Sequence, residues 1–226
     1  MNIPFKPLFS SPYARQETIF ASESLHPSVY SRSKRLVDIA GAIVGLLVTA
    51  LLALPIAIAQ ALDSPGPIFY RQLRCGLNGE TFFLWKFRSM VVDAEQKQHL
   101  VKNQAIGHIF KNDRDPRVTR VGRFLRRSSL DEFPQFWNVL KGEMSLVGTR
   151  PPTPDEVRKY NTYHFLRLRV KPGLTGEWQV KGRSRVSDFE EIVRMDLDYQ
   201  HKWSLGYDLY LIWRTIGVVL SGRGAC

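Results

Sequence analysis

Residues 36–62 read LVDIAGAIVGLLVTALLALPIAIAQAL, and within them residues 39–62 carry 24 consecutive positions without a charge. No soluble core helix needs a run that long. As a straight helix it would measure about 36 Å, enough to cross a hydrocarbon layer of about 30 Å. The plainest reading is one transmembrane helix anchoring a cytoplasmic domain. Two features complicate it. Pro55 lies inside the run, where it removes a backbone hydrogen bond and kinks or breaks a helix. The flanks are basic on both sides, with Arg32, Lys34 and Arg35 before and Arg71 and Arg74 after. A spanning segment usually leaves Lys and Arg richer on the cytoplasmic side only. A segment that enters, bends near Pro55 and returns to the same face satisfies both observations. On the residues alone the two topologies stand even.

Working outward, residues 1–31 hold four prolines and several serines with little apolar periodicity, which reads as a tail. They lack the basic start, apolar middle and small-residue cleavage site of a signal peptide. After the apolar run, Ser64-Pro65-Gly66-Pro67 is a strong stop. Residues 68–74 and 80–87 then read as short strands with Asn78-Gly79 as the turn between them. Residues 91–101 read as a helix. Residues 117–127, RVTRVGRFLRR, place Val118, Val121, Phe124 and Leu125 on one helical face and Arg120, Arg123, Arg126 and Arg127 on the other, a basic amphipathic helix suited to an anionic lipid surface. Residues 186–220 form another helical stretch whose Trp203, Tyr207, Tyr210 and Trp213 suit a headgroup boundary. The expected fold is α+β and mostly helical: a membrane helix, a short β-hairpin and interfacial amphipathic helices around a small catalytic domain. The parts are a tail over 1–31, the membrane helix over 32–63 and the catalytic domain over 64–226.

Composition narrows the function. The 226 residues are 44% hydrophobic and 23% charged, ordinary globular values, and their net charge of +11 calls for an anionic partner. Nucleic acid is one such partner, but the long uncharged run and the absence of any recognition motif argue against it. Cys75 and Cys226 cannot make a disulfide framework or a cysteine zinc cluster. A mean hydropathy of −0.20 excludes a polytopic membrane protein. There is no Walker phosphate loop, Gly-x-Gly-x-x-Gly, His-Glu-x-x-His or Gly-x-Ser-x-Gly, and the five histidines lack metal-ligand spacing.

The informative stretch is residues 126–152, RRSSLDEFPQFWNVLKGEMSLVGTRPP. Asp131 and Glu132 are adjacent carboxylates beside a run of arginines. Ser129 with Glu132 makes a capping-box pattern, placing both carboxylates in the first turn of a helix that runs toward Leu140. Helix capping alone would explain them. Alternatively they divide labour, one attacking phosphorus or an anomeric carbon and one holding a hard divalent cation completed by substrate phosphates. Lys86, Arg88 and Arg150 are candidates to neutralise those phosphates, guanidinium by bidentate bonding and ammonium as a point charge.

The blocks KRLVD (34–38), DSPGPIFYRQ (63–72), FFLWKFRSM (82–90), SSLDEFPQFWNVLKGEMSLVGTRPP (128–152), VKPGLTGEWQVKGR (170–183) and VVLSGRGA (218–225), in this order, resemble the bacterial sugar transferases. These are the monotopic phosphoglycosyl transferases that begin polysaccharide and glycoconjugate assembly. The resemblance implies transfer of a sugar phosphate from a UDP-sugar, of glucose or galactose type, to undecaprenyl phosphate. The products are undecaprenyl-diphosphate-sugar and UMP, with Mg²⁺ as cofactor. It implies a phosphosugar–aspartate intermediate, with Asp131 as nucleophile and Glu132 as metal ligand. By the same resemblance Lys86, Arg88 and Arg150 handle phosphate, and Gln179 and Arg183 fall in a block that touches the donor. It favours a re-entrant helix broken at Pro55, membrane lipid as a partner, and a catalytic domain on the cytoplasmic face of the inner membrane. The larger members carry further membrane helices, so this chain looks like the minimal catalytic form; homo-oligomerisation is left open. Two departures stand out: Thr149 replaces the usual proline of Gly-Pro-Arg-Pro, and Leu54-Pro55 replaces an earlier Ser-Pro. The competing reading is a non-catalytic membrane-anchored module that binds anionic lipid or an assembly partner. Loss of activity in Asp131→Asn separates the two.

Overall fold

The computed structural model describes residues 25–181 and 186–221. A short α1 (Pro27–Tyr30) leads into the long α2 (Arg32–Asp63), followed by the hairpin of β1 (Phe69–Cys75) and β2 (Thr81–Phe87). Then come α3 (Arg120–Ser128), a 3₁₀ segment (Leu130–Gln135), α4 (Phe136–Lys141) and β3 (Ser145–Val147). The rest is α5 (Pro154–Val157), α6 (Thr162–Phe165), β4 (Gly173–Thr175), α7 (Glu177–Lys181), α8 (Phe189–Lys202) and α9 (Leu205–Ser221). The strands form two separate pairs, β1 antiparallel to β2 and β3 parallel to β4.

Helix α2 begins at Ser31, whose side chain accepts from the Lys34 amide, and runs for 32 residues, about 48 Å. Its buried positions are Lys34, Asp38, Ala42, Gly45, Thr49, Ile56 and Gln60, a stripe repeating every three to four residues. That stripe is docked from end to end. Lys34 Nζ donates to Asp208 Oδ2 (2.6 Å) and to the Val147 carbonyl (2.9 Å), while Asp38 Oδ1 accepts from Ser145 Oγ and the Leu146 amide (both 2.9 Å). Midway, Gly45 lies against the Phe136 ring so closely that a Cβ there would sit 2.3 Å from ring carbons. At the far end Gln60 Nε2 donates to the Arg88 carbonyl (2.7 Å) and Asp63 accepts from the Val121 amide (2.8 Å). The opposite face exposes Leu36, Ile43, Val44, Leu47, Leu51, Leu54, Ile58 and Leu62. The apolar run is therefore amphipathic in a sense that charge counting misses: small and polar groups face protein and aliphatic ones face outward.

Pro55 does not break the helix, which continues two more turns to Asp63. The proline lies on the exposed face, and its neighbours Leu52, Ala53 and Ile56 pack with Phe87, Val121, Leu125 and Phe133. Side-chain packing holds the turn that the missing N–H weakens.

Three other expectations need correction. Residues 91–101 form consecutive turns and a short 3₁₀ piece (Gln98–Leu100) in place of a helix. The basic helix starts at Arg120, because Thr119 caps it by accepting from the Gly122 amide (2.9 Å). Leu125 in that helix is buried but Phe124 is exposed. The helical stretch after residue 186 is two helices, interrupted between Lys202 and Leu205 where Trp203 turns to donate to Asp208 (3.2 Å). The strands keep their expected place, each starting one residue later, and Asn78 takes the left-handed conformation (φ 52°) in the turn between them.

Candidate active site

Register decides what the hairpin offers. Tyr70 pairs with Lys86, Gln72 with Leu84 and Arg74 with Phe82, so these six share one face of the hairpin. Against β2 packs the 3₁₀ segment carrying Asp131 and Glu132. Helix α3 ends at Ser129, which adopts a left-handed conformation (φ 59°). The chain reverses there, and the two carboxylates enter a 3₁₀ turn containing Pro134 before the α-helical α4 begins. The expected capping box is absent: the Ser129 side chain does not cap that segment. A left-handed residue other than glycine is a strained choice, and here it sits two residues before Asp131.

The Lys86 ammonium meets Glu132 Oε1 at 3.0 Å, both groups being partly exposed, while Asp131 is 6% exposed. The turn is fixed to the strand by a residue that sequence reasoning missed. Asn138, fully buried, accepts from the Trp85 amide (3.1 Å) and donates to the Phe83 carbonyl and Glu143 Oε2 (both 2.7 Å). It bonds both backbone groups flanking Leu84, so α4 and the carboxylate turn cannot slide along β2. A buried amide with three bonds leaves several groups unsatisfied when removed. Asn138→Ala is expected to lower stability by about 2–4 kcal/mol, read as a shift of the denaturant midpoint.

The remaining expected residues divide. Arg88 is buried and bonded at the end of α2: Nε donates to the Pro67 carbonyl (2.6 Å), and the terminal nitrogens bond Ser64 and the Met90 carbonyl. It ties the end of α2 to the hairpin. Arg150 makes a bidentate pair with Glu156 (2.8 and 3.1 Å). Burial alone would raise the Glu156 carboxyl, but the Arg150 guanidinium outweighs it and holds the acid below the ordinary carboxylate range. The Arg150 backbone is held in turn by Arg167, fully buried, which bonds the Asp196 carboxylate, the Tyr160 hydroxyl and the Arg150 carbonyl. Gln179 Nε2 donates to the Leu174 carbonyl (3.0 Å), and Arg183 lies outside the described residues.

Thr149, in place of proline, is locked by bonding: its carbonyl accepts from the Gly173 amide (2.9 Å) and its hydroxyl donates to the Arg167 carbonyl (3.2 Å). The adjoining strands cross so closely that a Cβ on Gly148 would lie 2.2 Å from the Lys171 carbonyl oxygen, and one on Gly176 would lie 2.2 Å from that of Gly148. Glycine is required at both positions by this approach of backbones.

Arg74 was read in the sequence only as a flanking charge. Its side chain reaches the Pro151 carbonyl (2.9 Å) and Gln72 Oε1 (2.6 and 3.1 Å), next to Arg150 in sequence and space. Its alternation with Tyr70 and Gln72 along β1 was the available signal. As to a metal, no cluster of three or more His, Cys, Asp or Glu ligands stands among the described residues. A protein cage of the calcium type is therefore not what this site offers. One or two carboxylates with room for phosphate oxygens and water is the donor set that Mg²⁺ accepts, and Asp131 with Glu132 fits it.

Comparison with known proteins decides the family. The family described as bacterial sugar transferase matches residues 29–222. The chain belongs to the bacterial sugar transferases. A galactosyl transferase, CpsE, of Streptococcus agalactiae serotype III is 51% identical over 195 residues, covering 85% of this chain and 43% of the relative. The undecaprenyl-phosphate galactose phosphotransferase of Salmonella typhimurium is 41% identical over 198 residues, covering 85% and 41%. The exopolysaccharide production protein ExoY of Sinorhizobium fredii is 40% identical over 199 residues, covering 85% and 88%. The chain thus spans about two-fifths of the first two sugar transferases and most of the third.

Proposed function

We propose that this sugar transferase moves a sugar phosphate from a UDP-sugar to undecaprenyl phosphate, with UDP-galactose the first donor to try. The names of the Streptococcus and Salmonella relatives support galactose, and the Salmonella name supports the carrier. The observation that carries the reading is the buried Asp131 beside a Glu132–Lys86 pair, on a turn braced against β2. In the proposed course an Asp131 carboxylate oxygen attacks the sugar-bearing phosphorus. The bond from that phosphorus to the oxygen bridging the two phosphates breaks, and UMP leaves with the electron pair. An oxygen of undecaprenyl phosphate then attacks the same phosphorus, breaks its bond to Asp131 and frees the carboxylate. In this course Lys86, paired with Glu132, would neutralise charge on the transferred phosphate. Mg²⁺, with Glu132 as its protein ligand, would supply charge neutralisation at the phosphates. The test is UMP release in lipid nanodiscs containing undecaprenyl phosphate and Mg²⁺, across a panel of UDP-sugars. Release with one donor is expected. None with any donor from folded protein would overturn the reading.

We further propose that α2, continuous through Pro55, lays its outward aliphatic face into the inner membrane without crossing it, both ends staying on the cytoplasmic side. The support is physical. One protein body is docked on the helix from Lys34 to Asp63, so a straight crossing would carry Asp38, Gln60 and Arg88 into hydrocarbon. The exposed Leu209, Tyr210, Trp213 and Ile216 of α9 extend the apolar surface. Cysteines placed at Ser33 and Pro65, both exposed, in a chain with Cys75 and Cys226 replaced by serine, are expected to react from the same side of sealed vesicles. Labelling from opposite sides would restore the transmembrane helix.

A further inference from the structure

Arg117, Arg150 and Arg167 each pair with a carboxylate, of Asp115, Glu156 and Asp196. Arg74 makes no such ion pair among the described residues. Its three bonds go to neutral oxygens, two to Gln72 Oε1 and one to the Pro151 carbonyl, which leaves two of its five N–H groups without a protein acceptor among the described residues. The side chain is half-buried, and burial followed by the neighbouring Arg150 pulls its pKa down to about 10 against the opposing pull of Glu156 and, more weakly, Glu132. The register places it on the hairpin face that carries Lys86. A fixed, under-compensated fork so placed suits a phosphate, which offers the paired oxygens a guanidinium bonds best.

We propose that Arg74 contacts a phosphate of the nucleotide donor, with Gln72 as the residue that positions it; this rests on the transferase reading above. Two sources of phosphate meet in such a site. The acceptor arrives from the aliphatic face of α2, beside the start of β1, where Ile68 and Phe69 are exposed. Arg74 stands near the other end of β1, beside Pro151 and Glu156, away from that aliphatic face.

The experiment measures donor and acceptor separately in the full chain in nanodiscs, and binding of UMP by calorimetry without turnover. Arg74→Gln is expected to lower kcat/KM for the UDP-sugar and to weaken UMP binding, each about 10- to 100-fold, with the KM for undecaprenyl phosphate unchanged. Gln72→Leu keeps the charge and removes only its holder, so a fall of about 3- to 10-fold in the same two quantities is expected. It also serves as the readout if Arg74→Gln does not fold. Folded variants with wild-type donor kinetics and UMP affinity would overturn the assignment, as would a loss confined to the acceptor. A wild-type chain that binds UMP yet turns over no donor would sink the transferase reading instead, leaving Arg74 to be judged on UMP binding alone.

Discussion

Asp131→Asn is expected to lower UMP release by on the order of 10⁴-fold or more, the scale on which removal of a nucleophile acts, while the protein still folds. The two halves of this expectation have separate causes. Asparagine copies the shape of the side chain and keeps one of its oxygens, so the packing of a residue only 6% exposed is preserved. What is lost is the attacking carboxylate, while Glu132, the other carboxylate of the turn, is engaged by Lys86. The check is initial-rate UMP release beside a thermal melt of the same sample. Full activity in folded Asp131→Asn would overturn the covalent course; inactivity with loss of fold would shift the question to Asp131→Ser.

Lys34→Met is expected to destabilise the protein by about 3–5 kcal/mol, the cost of leaving one member of a buried ion pair uncompensated. Lys34 and Asp208 are both buried, and their pair is embedded in further bonds: Lys34 to the Val147 carbonyl and the Tyr199 hydroxyl, and Asp208 accepting from Tyr199 and Trp203. Removing the lysine strands a carboxylate that two neutral donors only partly satisfy. Replacing both partners, as Lys34→Met with Asp208→Leu, removes the stranded charge. The double variant is therefore expected to be less destabilised than the sum of the two single variants, by about 1–3 kcal/mol. Denaturant unfolding in a fixed detergent measures all four corners of the cycle. Strict additivity would show that the pair contributes no coupling.

Much of the outline was legible because it rests on local signals. The uncharged run, the Ser-Pro-Gly-Pro stop and the Asn-Gly turn each act within a few residues, and α2 and the hairpin stand where those signals put them. The polar positions Lys34, Asp38 and Thr49 stand in the sequence too, but their meaning depends on partners more than 80 residues away. At Ser129 local reasoning misled. The serine–glutamate spacing matches a helix cap, yet Pro134 and the packing of the turn on β2 favour a 3₁₀ segment after a left-handed reversal. Lys86 was singled out as a cation in Trp85-Lys86-Phe87-Arg88, and the fold carries it across 46 residues to Glu132. Asn138 and Arg74 were not, because their roles depend on strand register and on the Pro151 carbonyl, long-range facts that spacing does not carry.

The docking of α2 along its whole length has a practical corollary. Its inner stripe closes the packing around Phe136, Leu146 and Phe87, and its ends ground Asp208 and the backbone at Arg88. The helix is a structural beam of the active site as much as an anchor. Trimming residues 32–63 to obtain a shorter fragment would uncover that apolar seam and strand Asp208, so this fold and its long apolar helix come as one piece.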